Sequence, residues 1–123
     1  MDVKAPEDLQ ARTRSFALRI IKLFRSLPRT EEARILGKQV LRSGTSIGAN
    51  YRAAGRARSR AEFVAKLGIV LEEADETVFW LELMRDASIF PDQKLNDLVT
   101  EANELVSIFV TSVRTAKEPR SVA

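Results

Sequence analysis

The sequence predicts an all-α fold, an antiparallel up-down-up-down four-helix bundle, on three observations. Four segments repeat apolar residues at alternating spacings of three and four, the period of a helix with one buried face. The links between them are only a few residues long, so each helix must turn back along its predecessor. No segment alternates apolar and polar residues with the period of a strand. At 123 residues the chain reads as a single domain, large enough to bury a core without staples.

The first helix is expected over about 7–27, with Leu9, Phe16, Ile20, Leu23 and Leu27 on one stripe and Ala17, Ile21 and Phe24 widening it. Pro28 ends it, because proline has no N–H to continue the ladder. The second is expected over 31–56. Thr30 suits its N-cap, and Glu31 and Glu32 suit the positive end of the helix dipole. Its apolar positions are Ala33, Leu36, Val40, Ile47, Tyr51 and Ala54. The third is expected over 60–87, opened by the capping pattern Ser59-x-x-Glu62. Its stripe of Phe63, Leu67, Val70, Ala74, Thr77, Leu81 and Met84 is an unbroken heptad. The fourth is expected over 91–116, with Pro91 in its first turn and Leu95, Leu98, Ala102, Leu105 and Phe109 facing inward. The tail from Lys117 carries no pattern and is expected to fray.

Composition narrows the chemistry. Hydrophobic residues make up 45% and charged residues 30%, ordinary values for a globular domain. The absence of cysteine removes a disulfide framework, a thiolate metal site and a thiol nucleophile. The absence of histidine removes the commonest metal ligand and the commonest general base. The acidic cluster Glu72, Glu73, Asp75 and Glu76 lacks the histidine that a bundle di-metal site uses. The polar seam Gln39, Ser43, Ser46 and Asn50 on helix two has no base to activate a serine. If buried, it needs hydrogen-bond partners. The reading is therefore not an enzyme, with no cofactor, no metal and no small-molecule substrate. With no signal-peptide core and no apolar run long enough for a bilayer, the expected location is the cytoplasm, away from membranes.

Three features exceed a bare bundle. On helix three, Ile69, Phe79, Trp80 and Leu83 fall on the side opposite the heptad stripe. A helix apolar on two sides points to a second partner, here self-association, although a heavily covered central helix would show the same pattern. On helix two, Gly37, Gly44, Gly48 and Gly55 share an arc beside the apolar stripe, which suits tight packing within or between subunits; Gly44 and Gly48 join the candidate oligomer interface. The third feature is charge. Between residues 34 and 60 lie seven basic residues and no acid: Arg34, Lys38, Arg42, Arg52, Arg56, Arg58 and Arg60. Residues 61–104 carry eleven acids and three bases. Arg34, Lys38, Arg52 and Arg56 form a stripe with Arg42 just beside it, and Arg58 and Arg60 extend it. A line of guanidinium groups some six turns long suits a phosphate backbone, RNA or DNA. The competing reading is a stripe paired with the acids of helix three in a neighbouring subunit, which would make the protein an adaptor for other proteins. Only Tyr51 lies near the stripe, too few aromatics for a base-stacking platform.

The run Leu41-Arg42-Ser43-Gly44-Thr45-Ser46-Ile47-Gly48-Ala49-Asn50-Tyr51-Arg52 resembles the signature of the bacterial 23S rRNA-intervening-sequence protein family. So do the run from Arg58 to Ile69 and the run from Glu72 to Leu81; together the resemblance spans about 16–105. Many members place a glutamate shortly after the asparagine, where this chain has Ala53 and Ala54. The resemblance implies a four-helix bundle of unknown function that assembles into a homopentamer. It also implies a likeness of fold to the accessory protein of diversity-generating retroelements, a basic pentamer that works with nucleic acid.

Overall fold

The computed structural model describes residues 8–119, and the chain is all-α there. Four helices follow one another: α1 (Leu9–Ser26), α2 (Glu31–Ala54), α3 (Arg60–Asp86) and α4 (Asp92–Lys117). The expected start at Glu7 and the end of the tail lie outside the described residues. Within them the elements match the periodicity, with ends displaced by a residue or two for local reasons.

At the start of α1 the Asp8 carboxylate caps the Ala11 N–H at 3.0 Å. Thr30 accepts from the Ala33 N–H at 3.2 Å, and Ser59 from the Glu62 N–H at 3.1 Å, as the capping patterns require. Helix α2 stops at Ala54, with Gly55 as its C-cap, two residues short of expectation. Pro91 stands at the N-cap of α4 rather than inside its first turn. Lys117 is helical, so the regular structure runs one residue past the expected end. The α3–α4 turn closes as a Schellman motif: Ile89 N–H reaches the Met84 carbonyl at 3.0 Å and Ser88 N–H reaches Arg85 at 3.0 Å. Ser88 holds the left-handed position, φ 58°, that glycine usually takes.

Phe16, Ile20, Val40, Ile47, Leu67, Val70, Leu81, Met84, Leu95, Leu105 and Phe109 form one continuous core drawn from all four helices. Every member of the α3 heptad is buried except Phe63, which is 36% exposed near the start of the helix. Consecutive helices pack extensively, whereas α1 and α4 touch only slightly. Along the α1–α2 interface, Gly37 faces Phe24 and Leu27, Gly44 faces Ile20, Gly48 faces Thr13 and Gly55 faces Gln10, so one helix is met in the reverse order of the other.

The polar seam divides by depth. Ser43 and Thr77 are fully buried, and their hydroxyls lie 2.9 Å apart across the α2–α3 interface. Thr77 Oγ1 also reaches the Glu73 carbonyl at 2.7 Å, so neither buried hydroxyl is orphaned. Ser46 and Asn50 bond back to their own helix, through the Arg42 and Ser46 carbonyls.

Candidate nucleic-acid interface

Of the seven basic residues singled out by spacing, four stand clear of the rest of the chain, three on α2 and Arg56 in the turn just past its end. Arg34, Lys38, Arg52 and Arg56 are exposed and enter no ion pair among the described residues. At 1.5 Å per residue Arg34 to Arg52 span about 27 Å of helix. The other three have work inside the chain. Arg42 leans toward α3 and bonds Glu73 at 3.1 Å and Glu76. The hydrogen bond from Arg42, joined by one from the Trp80 indole, holds the Glu76 carboxyl below its usual range; the same bond to Glu76 raises Arg42. Arg58 lies 3.8 Å from Glu62, one turn on, with a side chain 90% exposed. Arg60 donates to the Ala116 carbonyl at 2.9 Å and to the Glu118 carbonyl, closing the C-terminal end of α4.

The basic surface is wider than α2. Arg12, Arg14, Arg19, Lys22, Arg25 and Arg29 all precede the first acid after Asp8, which is Glu31. Of these, Arg14 lines a groove with Arg52 and Arg56, whereas Arg19 and Lys22 line a hollow with Phe90, Lys94, Asp97 and Leu98. Residues 8–60 carry thirteen basic and three acidic side chains, residues 61–119 five basic and twelve acidic. Spacing within α2 alone hides this; a charge count over 9–30 would have shown it. One α1 cation is committed elsewhere: Arg12 bonds Glu101 at 2.7 and 2.9 Å and Glu104 at 2.8 Å on α4. These bonds hold the Glu101 carboxyl below its usual range.

Between the start of α1 and the end of α2 runs an open groove of about 730 Å³. Arg14, Arg52 and Arg56 line it, over a floor that includes Ala17, Gly48 and Ala49.

The apolar candidates of α3 separate by exposure. Phe79 is 56% exposed, and Ile69 and Leu83 are also open to solvent. Trp80 is half-buried, with its indole N–H donating to Glu76 at 3.1 Å and its ring meeting Phe79 edge-on at 5.0 Å. Ile35 on α2 is as exposed as Phe79. The Ser43–Thr77 and Arg42–Glu76 contacts tie α2 to α3. Gly44 and Gly48 do not belong to this surface. Ile20 covers Gly44 and Thr13 faces Gly48, so α1 of the same chain occupies the glycine arc. Among the described residues no helix is long and apolar enough to cross a membrane.

The comparisons with known proteins agree with the signature residues of α2 and α3. A protein from the S23 ribosomal protein family of Bacteroides thetaiotaomicron, described as of unknown function, superposes with a TM-score of 0.81 at 36% identity. The match covers 86% of this chain and 98% of that one. No curated protein matches the sequence. The family model for the 23S rRNA-intervening sequence protein matches residues 7–111, which takes in nearly all of the four helices, and the chain belongs to that family.

Proposed function

We propose that the protein is a non-enzymatic scaffold whose basic surface contacts RNA or DNA and whose subunits, up-down-up-down bundles, self-associate in the cytoplasm. The single observation that carries the nucleic-acid part is the set Arg34, Lys38, Arg52 and Arg56: exposed and unpaired among the described residues, the first three on α2 and the fourth in the turn that follows it. Arginine stays ionised at every physiological pH and matches phosphate oxygens in a fork, so such a line neutralises backbone charge regardless of sequence. In a homo-oligomer, the pentamer that the family resemblance implies, the line repeats with each subunit and weak contacts add. The reversed order of contacts along α1 and α2 supports the antiparallel arrangement.

Fluorescence anisotropy with structured RNA and duplex DNA between about 50 and 200 mM salt tests the reading. Binding that weakens steeply with salt is expected, and reversing Arg34, Lys38 and Arg52 to glutamate should weaken it and flatten the slope. Unchanged binding by that variant removes the stripe as the contact surface.

A second reading, an adaptor for other proteins without nucleic acid, draws on the exposed Phe79, Ile69 and Leu83 and on the capture of Arg42 by α3 acids. It predicts no binding to either nucleic acid even at low salt.

A further inference from the structure

The α1–α2 groove differs in kind from the rest of the basic stripe, because it is concave and draws cations from two helices. Arg52 lies in the last turn of α2, Arg56 in the turn just past its end, and Arg14 lines the same groove from α1. All three are exposed and unpaired among the described residues. Asp8 is the acid in the lining, and its carboxylate is engaged in capping the Ala11 N–H. Three guanidinium groups that repel one another around a common space are stabilised by an anion placed between them.

The rest of the lining says what kind of anion. Ala11, Ala17, Gly48 and Ala49 offer no polar side chain, so a ligand backbone can approach closely. The Thr13 and Thr45 hydroxyls donate to the Leu9 and Leu41 carbonyls of their own helices, both at 2.7 Å. Gln10 alone adds a side-chain amide, and no aromatic ring is present for a base to stack on. The surface therefore binds charge and leaves base edges unread. Width decides the form of the strand. Packed helix axes lie about 8–10 Å apart. The hollow between two such helices is narrower than a duplex, whose major groove alone is about 12 Å across.

We infer that the α1–α2 groove binds the phosphodiester backbone of single-stranded nucleic acid through Arg14, Arg52 and Arg56, without base specificity. The inference rests on the nucleic-acid reading above and narrows it to one strand form and one subsite.

The test is anisotropy of the full chain with labelled oligo-uridine, a mixed-sequence single strand and a mixed-sequence duplex, between about 50 and 200 mM salt. Three proteins are compared: the unaltered chain, R14Q/R52Q/R56Q and the control R114Q/K117Q, whose two cations lie on α4 away from the groove. All five positions are exposed, and circular dichroism checks that the variants fold. The two single strands should bind alike and more tightly than the duplex. The groove variant should lose about tenfold or more in single-strand affinity. Its salt slope should fall by roughly two, since each neutralised phosphate of a single strand contributes about 0.7. The control should stay within about threefold of the unaltered chain.

If the control loses as much as the groove variant, or if the duplex binds best, the groove assignment falls while the nucleic-acid reading survives. If neither single strand nor duplex binds at low salt, both fall. Displacement of the single strand by low-millimolar inorganic phosphate at constant ionic strength would show a site for the free ion and overturn the backbone assignment.

Discussion

A methyl group on Gly44 would stand 2.8 Å from Ile20 Cγ1 and 3.0 Å from its Cγ2, and Ile20 is a fully buried, β-branched side chain with little freedom to move. Gly37 is cheaper to replace, because its nearest obstacle at 2.6 Å is Leu27 Cδ1, the tip of a flexible chain. Gly68 on α3 would meet nothing within 4 Å. Gly44→Ala should therefore destabilise by about 1–3 kcal/mol through overpacking. Gly68→Ala should stabilise by about 0.5–1 kcal/mol, because alanine loses less backbone entropy in a helix. Urea denaturation of the two variants reads both signs; equal shifts would mean that α1 does not hold Gly44 as tightly as the geometry requires.

Helix α1 is the least supported element, since it packs well on α2 but only slightly on α4. Arg12 bridges that weak seam to Glu101 and Glu104. The Glu101 carboxyl is depressed by the Arg12 hydrogen bonds when the chain is folded, while an unfolded glutamate titrates near pH 4.3. A depressed acid stabilises the fold above its unfolded value, and that stabilisation is lost as pH falls from there through the folded value. Glu101→Gln should be less stable than the unaltered chain at pH 7, and the gap should shrink below about pH 4.3. Urea melts at neutral and acid pH check this, and a gap independent of pH would assign the loss to packing. Element types and their order were legible in the sequence because heptad spacing, proline stops and capping residues all agreed. The ends of α2 and α4 moved by a residue or two, since capping geometry at Gly55 and Pro91 is a local contest that periodicity does not decide. The role of the glycine arc was legible only as a choice between packing within and between subunits. Which helix filled it depends on the crossing of α1 over α2, and Ile20 and Thr13 carry no sequence mark of that contact.

For the whole molecule, the exposed apolar residues Ile69, Phe79 and Leu83 of α3 are the candidate assembly surface. Phe79→Ser should lower the particle mass seen by light scattering and leave the helix content unchanged, because a ring that is 56% exposed contributes little to the monomer core. An unchanged mass would remove Phe79 as an assembly contact. The α2 part of the basic surface was legible from spacing, but the part played by Arg14 was not, because it gains meaning only beside Arg52 and Arg56. Division of charge between the two halves of the chain has a consequence that the net value of +3 conceals. Residues 8–60 hold a surplus of ten positive charges and residues 61–119 a surplus of seven negative ones, so the molecule is a large electric dipole. It should orient in an applied field and be retained at low salt by cation and anion exchangers alike, with each resin gripping a different hairpin.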